Sequence, residues 1–125
     1  MSIITDNTVL VQIYSGLEFK NKVTLGLLAA LTAEKNDHKV TLFLGGDGVD
    51  LLSCKKAGEI VGQGTGDLYE HLENLKNSKI SIYVSGISAK SRGYDETLLE
   101  GYKAEFVMLD VLIEESIKAD SVLCY

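Results

Sequence analysis

The sequence predicts an α/β fold, a three-layer α/β/α sandwich around a mainly parallel five-stranded sheet, in a single domain over residues 1–125. Short segments rich in β-branched residues alternate with longer segments whose apolar residues have helical spacing. This alternation is typical of right-handed β-α-β crossovers. A chain of 125 residues can bury one core, and no proline-rich linker, internal repeat or change of composition divides it.

The first half of the chain contains two predicted strands and one long helix. Thr8–Tyr14 (TVLVQIY) is rich in β-branched residues and predicts the first strand. Apolar residues at helical spacing in Phe19–Lys35 predict the first helix. Lys39–Leu44 (KVTLFL) predicts the second strand, which stops at the turn Gly45–Gly48. A short helical turn over Val49–Ser53 follows.

The middle of the chain contains a glycine-rich segment, a helix and the third strand. Gly58–Gly66 is predicted to be a flexible surface connection. Asp67 followed by Glu70 resembles a capping box, and it predicts the start of a helix that ends near Asn77. Lys79–Val84 (KISIYV) predicts the third strand.

The last third supplies the remaining elements. Asp95 is predicted to cap a short helix that runs through Leu99. Ala104–Met108 predicts a weaker fourth strand, and apolar residues at helical spacing in Leu109–Ile117 predict the last helix. Ser121–Tyr125 predicts a fifth strand that closes the sheet.

Composition excludes several classes of function. With 18 acidic and 12 basic residues, the net charge of −6 repels a nucleic-acid backbone. The longest apolar stretch, Leu25–Ala33, is too short to span a membrane, and the N-terminus lacks the basic region of a secretion signal. Cys54 and Cys124 fit neither a disulfide scaffold nor a zinc site. We therefore expect a cytoplasmic protein with no metal and no membrane or nucleic-acid partner.

The glycine-rich segments do not match nucleotide-binding motifs. Gly62, Gly64 and Gly66 would need a glycine at position 67 to complete G-x-G-x-x-G, and that residue is Asp67. The Gly-Lys-Ser/Thr triplet of a Walker loop does not occur in the sequence. No cofactor is expected.

Ligands of parallel sheets collect beyond the carboxyl ends of the strands, which here are followed by the loops after Tyr14, Leu44 and Val84. In the second of these loops, Gly46 and Gly48 allow close backbone approach. Asp47 between them would accept hydrogen bonds either from a ligand or from neighbouring backbone amides. Both interpretations, a binding loop and a supported turn, stay open.

The third loop contains cations and no acidic residue between Val84 and Gly93. Three serines, two cations and free amides would suit a small anion, especially if Ser88 begins a helical turn. A solvated basic turn is the alternative. The candidate ligand-binding residues are thus Gly46, Asp47, Gly48, Ser85, Gly86, Ser88, Lys90 and Arg92.

Several strings together resemble one known family. VTLFLGGDGVDLL, VSGISAKSRG, Ala119-Asp120 and the final SVLCY look like the DsrE/DsrF-like family of small sulfur-relay proteins, over nearly the whole chain. The resemblance implies the α/β/α fold, assembly as homo- or hetero-oligomers, and a sulfur-relay protein as a possible partner. In several such proteins sulfur passes between partners as a cysteine persulfide.

The resemblance also implies where the sulfur carrier would lie. The family's cysteine lies eight positions before the glycine of its Arg-Gly pair, which is Gly93 here, so it falls on Ser85. A second cysteine of some relatives falls on Ser88. A serine hydroxyl cannot carry a persulfide, because that chemistry requires a thiolate sulfur.

Other residues could supply a nucleophile in place of Ser85. A serine hydrolase would need a nearby base, and His38 and His71 are both predicted to be surface residues away from Ser85. Cys54 is the candidate sulfur centre, because Lys55 and Lys56 would lower the pKa of its thiol. The alternative is that Cys54 is a buried packing residue. Cys124 is expected in the core.

Three hypotheses follow. The protein is a DsrE-like binding or assembly subunit without the usual sulfur carrier, a sulfurtransferase that uses Cys54, or a module that binds a small anion or metabolite outside sulfur chemistry. Whether the protein is an enzyme stays open. A homo-oligomer is expected in each case, because the family assembles and exposed apolar surface on a short chain favours a symmetric partner.

Overall fold

The computed structural model describes residues 7–125 and confirms the predicted fold class. The main sheet contains five strands, all paired in parallel, and their order across the sheet is Ala104–Val107, Ser81–Ser85, Lys39–Leu44, Thr8–Ile13 and Ser121–Cys124. The first six residues, on which the expectation about a secretion signal rests, lie outside the described part. The strands are β1 (Thr8–Ile13), β2 (Lys39–Leu44), β5 (Ser81–Ser85), β6 (Ala104–Val107) and β7 (Ser121–Cys124).

Helices connect consecutive strands. Two 3₁₀ helices, Gly46–Ser53 and Glu96–Leu99, follow β2 and precede β6. Within the described residues, no helix has the length and apolar character needed to cross a membrane. The α-helices are α1 (Lys20–Lys35), α2 (Leu68–Lys76), α3 (Gly86–Ser91) and α4 (Leu109–Lys118).

The two faces of the sheet differ in how they are covered. Val9, Val11 and Ile13 of β1 point to the larger core, which α1, α2 and the first 3₁₀ helix cover. Leu10 and Phe43 point to the other face, where the smaller core lies. The strict alternation along β1 follows from the two-residue period of a strand, and it places both faces in apolar surroundings.

Among the helices of residues 7–125, α4 packs on that second face. Its Val111 and Leu112 contact the smaller core, yet none of its ten residues is buried. The predicted helix is therefore present, but its outer side, with Leu109, Ile113 and Ile117, faces solvent.

The segment Gly58–Gly66 differs from its prediction as a flexible connection. It contains a small antiparallel hairpin of β3 (Val61–Gly62) and β4 (Gly66–Asp67). The hydroxyls of Thr24 on α1 and Thr65 in the turn lie 2.5 Å apart, which ties the hairpin to the helix.

The surface position predicted for His71 is wrong. His71 is buried, and its Nε2 lies 2.7 Å from the carbonyl oxygen of Thr65. His38 is half-buried rather than fully exposed. Sequence spacing put His71 in the middle of a helix but did not show that the glycine-rich hairpin would fold over that helix face.

Candidate functional site

The loops that leave β1, β2 and β5 converge at the carboxyl edge of the sheet. The amide of Gly45 donates to the carbonyl of Ile13 at 3.1 Å, which joins the first two loops. The amide of Gly46 donates to Ser88 Oγ at 2.9 Å, which joins the second and third. The sequence placed these loops together because parallel strands end at one edge. Ligand binding by their residues stays a prediction.

Glycines permit the close approach of the first two loops. The first 3₁₀ helix starts directly after β2, and Gly46 adopts a φ of +53° there, a left-handed conformation that favours glycine. A Cβ atom at Gly48 would overlap the carbonyl oxygen of Ile13. The loop after β2 can therefore pack on the end of β1 only with glycine at this position.

Ser85 has a structural role at the start of α3. Its Oγ accepts a hydrogen bond from the amide of Ser88 at 3.2 Å, which makes Ser85 the N-cap of the helix. The residue is only 3% exposed. The helix begins at Gly86, two residues before the start that the sequence suggested at Ser88.

Arg92, the residue after α3, is held by hydrogen bonds to Asp47, Ser88 and Ser91. Its Nη2 donates to Asp47 Oδ1 at 2.6 Å, and its Nη1 donates to the carbonyl of Ser88 at 3.0 Å. Asp47 thus pairs with Arg92, the residue that the sequence predicted would bind a small anion. An anion at this edge would have to displace that carboxylate, or use the donors that remain on Arg92 and the exposed Lys90.

A second polar contact fixes the same 3₁₀ helix on its other side. The hydroxyl of Tyr94 donates to Asp50 Oδ1 at 2.6 Å, and burial with this neighbouring carboxylate raises the pKa of Tyr94. Sequence reasoning did not single out Asp50. Its position three residues after Asp47, about one 3₁₀ turn, is the signal that would have indicated it.

Cys54 lies in the larger core and is 2% exposed. Burial raises the pKa of its thiol, and the charges of Glu59 and Asp67 raise it further. The hydrogen bond with the backbone of Lys56 and the charge of Lys55 lower the pKa by less than burial raises it, so the expectation that the lysines would favour a thiolate is wrong. Cys54 therefore fits the alternative prediction, in which it is a buried packing residue and not a sulfur centre.

Cys124 was predicted to lie in the core, and the structure places it outside the core. It is an exposed free thiol near the end of β7, the edge strand, and it pairs in register with Gln12 of β1. The hydroxyl of Tyr14 donates to the side chain of Gln12. Burial raises the pKa of Tyr14, and the neighbouring charge of Cys124 adds to the increase. A terminal strand on a sheet edge leaves its side chains to solvent, which the strand pattern alone does not reveal.

Two cavities in the described part lie away from this edge. The larger, about 570 Å³, lies at the opposite, amino-terminal edge beside His38, Lys39 and Lys79. The second, about 390 Å³, lies along β5 and β6. Neither is lined by Asp47, Ser88 or Arg92, so the candidate residues form a packed, hydrogen-bonded edge.

The described side chains include no cluster of three or more histidine, cysteine, aspartate or glutamate residues that could hold a metal ion. Cys124 ends β7 at the same edge of the sheet, whereas the three loops after β1, β2 and β5 offer hydrogen bonding by hydroxyls, amides and one guanidinium. Such groups recognise a ligand or a protein surface, and none of them is a sulfur nucleophile.

Comparisons with known proteins agree on the family and the fold. The model of the DsrE/DsrF-like family matches residues 8–125. The crystal structure of the YchN protein from E. coli is similar, with a TM-score of 0.72 and 19% identity over 96% of this chain and 99% of that chain. At this identity the likeness establishes the fold alone. No curated protein matches the chain.

Proposed function

Because this chain belongs to the DsrE/DsrF-like family, we propose that it is a binding or assembly subunit related to sulfur transfer that carries no persulfide at residue 85. The family relates the protein to sulfur relay. The proposal adds that this member contributes a surface and a scaffold instead of the sulfur-carrying atom.

The state of Ser85 is the observation that carries this proposal. Its Oγ caps α3 by accepting from Ser88 and is almost fully buried. Sulfur transfer through a persulfide needs a thiolate that a donor can reach. A buried hydroxyl in a capping hydrogen bond meets neither requirement.

Neither cysteine replaces the missing atom. Cys54 is buried, and its raised pKa keeps the thiol protonated over a wider range of pH. Cys124 is reachable, but it lies on the edge strand β7, outside the hydrogen-bonded loops of Gly46 and Ser88. We therefore do not assign the function of a sulfurtransferase to Cys54.

Partners and location belong to the same proposal. We propose a homo-oligomer, a sulfur-relay protein as a further partner, and a cytoplasmic location, where both cysteines stay reduced as the free thiols seen here. The apolar outer side of α4 supports the assembly part of this proposal.

Intact-mass measurement after incubation with inorganic polysulfide tests the central claim. A Cys124→Ser variant should gain no sulfur while it is folded, because its remaining thiol, Cys54, is buried. The same variant in denaturant should gain sulfur on Cys54, which shows that the assay detects this cysteine. Stable addition of one sulfur atom to folded Cys124→Ser would overturn the proposal.

A matched variant separates access from chemistry. Ser85→Cys in the Cys124→Ser background puts a thiol at the family position, at the start of α3. Because residue 85 is only 3% exposed, we expect this variant, like its parent, to gain no sulfur when folded and to gain it only in denaturant. Sulfur addition to the folded variant but not to its folded parent would show that a donor reaches residue 85, and it would contradict the access argument.

A further inference from the structure

The cavity of about 570 Å³ lies at the amino-terminal edge of the sheet, opposite the loops that contain Ser85 and Arg92. It lies between the turn that follows α1 and the turn that follows α2, beside the first residues of β1 and β2. Its volume is within the range of cavities that hold small molecules. The ionisable residues of its lining carry both signs of charge, and they are Glu34, Asp37, His38, Lys39 and Lys79.

Lys39 and Lys79 form the basic side of this cavity. Thr41 of β2 pairs in register with Ser81 of β5, so Lys39 lies opposite Lys79 two residues earlier in each segment. Like charges at such opposite positions repel each other and destabilise the sheet. The ion pairs found within residues 7–125 use other cations, so no carboxylate in this part of the chain neutralises either lysine. A bound carboxylate would offset the repulsion.

Asp37 lies on the acidic side, at a position that favours glycine. Its amide donates to the carbonyl of Glu34 at 2.9 Å, and the amide of His38 donates to the carbonyl of Ala33 at 3.1 Å. These two bonds form a Schellman motif, in which glycine is the usual residue at the position of Asp37. Asp37 has a φ of +69°, and among residues 7–125 it is the only residue other than glycine with a positive φ. The chain therefore keeps a carboxylate in the cavity lining where glycine would relieve backbone strain.

Glu34 is the second carboxylate of the acidic side. Its Oε2 accepts a hydrogen bond from the backbone amide of Lys79 at 2.5 Å, which ties the turn after α2 to α1. The negative end of the α1 dipole lies at the same edge, because α1 ends at Lys35, directly before the turn to β2. The α1 side of the cavity therefore attracts a cationic group.

His38 contributes a polar atom that lacks a partner. Its Nδ1 is buried and makes no hydrogen bond, and it is the only buried side-chain nitrogen or oxygen within residues 7–125 in this state. A proton on Nδ1 would be a buried, unpaired donor, which is costly. The neutral ring is therefore more stable with its proton on Nε2, and Nε2 is the donor that His38 can offer to a ligand.

The two charged sides together select the class of ligand. A simple anion would be attracted by Lys39 and Lys79 but repelled by Asp37 and Glu34, and a simple cation would meet the reverse. A zwitterion complements both sides at once. An α-amino acid carries its carboxylate and its ammonium group on one carbon atom, and the rest of the cavity can hold its side chain.

We propose that this cavity binds a free α-amino acid. The carboxylate lies between Lys39 and Lys79 and accepts from His38 Nε2, and the ammonium group lies at Asp37. Asn77 and Ser78 also line the cavity, so an amino acid with a polar side chain fits best.

The inference goes beyond the proposed function and does not rest on it. Ser85 ends β5 at the opposite edge of the sheet, whereas the proposed site lies before the start of that strand. Amino-acid binding can therefore fail while the polysulfide result holds, and the reverse is equally possible.

Titration with three matched compounds tests the ligand class, with NMR of the backbone amides of His38 and Lys79 as the local readout. L-Glutamine carries both charged groups, glutaramate lacks the ammonium group, and 4-aminobutanamide lacks the carboxylate. L-Glutamine should shift both amides and bind about tenfold more tightly than either analogue, because only it pairs with both sides of the cavity. No binding of L-glutamine, or equally tight binding of glutaramate, would overturn the proposal.

Substitutions at the cavity separate binding from folding. Lys79→Gln should weaken the binding of L-glutamine about tenfold, whereas Lys20→Gln, at the opposite end of α1, is the control and should leave it unchanged. Asp37→Gly should weaken binding to a similar extent and yet raise the urea midpoint, because glycine adopts the left-handed conformation without strain. Unchanged binding in Lys79→Gln or in Asp37→Gly would overturn the proposal.

Discussion

Arg92 and Asp47 join two loops that are 45 residues apart in sequence, through a 2.6 Å contact between Nη2 and Oδ1. The carboxylate follows β2, and the guanidinium follows α3. Asp47 therefore neutralises the charge of Arg92, which the sequence predicted would bind an anion. Because Asp47 is the more exposed partner, an incoming anion would compete with it in contact with water.

Asp47→Asn should release Arg92 from its ion pair. The free energy of unfolding should fall by less than about 1 kcal/mol, because exposed ion pairs contribute little. Small anions should then raise the melting temperature more than they do in the unchanged protein, with sulfate as the probe. Calorimetry with and without sulfate measures both effects. The Asp47→Asn, Arg92→Ala double variant is the control, and an undiminished sulfate response in it would exclude Arg92 as the anion site.

Ser85→Ala should destabilise the protein by about 1 kcal/mol, because the amide of Ser88 loses its acceptor at the start of α3. Urea unfolding followed by circular dichroism measures the difference. Ser91→Ala removes a hydroxyl at the exposed end of the same helix and should cost less. Equal losses in the two variants would show that the cap is not the reason Ser85 is needed.

Gly48→Ala should destabilise the protein by at least about 2 kcal/mol, since the new methyl group would overlap the backbone carbonyl of Ile13. Gly86→Ala is the matched control, because the nearest atom to a Cβ there is the Val107 carbonyl oxygen at an ordinary 3.5 Å. That change should be neutral or stabilising in a helix. Urea midpoints that agree for the two variants would contradict the close approach at Gly48.

Ionisation of Tyr102 should lower the stability of the folded protein at high pH. Burial, together with the charges of Glu73, Cys54 and Tyr69, raises the pKa of Tyr102 to about 12. An unfolded tyrosine titrates near about 10, so above that pH the unfolded state loses the proton first and is favoured. The free energy of unfolding should decline between pH of about 10 and about 12. Tyr102→Phe should show a smaller decline in urea titrations over this range, and an identical profile would exclude this residue as the cause.

Local sequence signals located most strands and helices, because the start and end of such an element depend on residues that are close together in the sequence. β-branched runs predicted β1 and β2 within one residue of their ends, and Asp67 caps α2 through the amides of Tyr69 and Glu70. Asp95 caps its 3₁₀ helix in the same way. Caps and strand periodicity are determined within a few residues, so a linear pattern is sufficient.

Burial was harder to predict because it depends on which elements lie on top of each other. Cys54 and Cys124 have similar apolar neighbours in sequence, yet one lies in the core and the other on an edge strand. His71 is covered by a hairpin whose glycines suggested a loose connection. In each case a segment distant in sequence decided the environment.

The amino-acid sequence alone determined the α/β class, the family, and the gathering of three loops at one edge, since strand direction and crossover handedness follow from local chemistry. Only the tertiary structure decided that β7 crosses to the far edge beside β1, that Arg92 is paired with Asp47, and that the outer side of α4 faces solvent. These features depend on packing between residues far apart in the chain, and such packing minimises exposed apolar surface over the whole molecule rather than within any one segment.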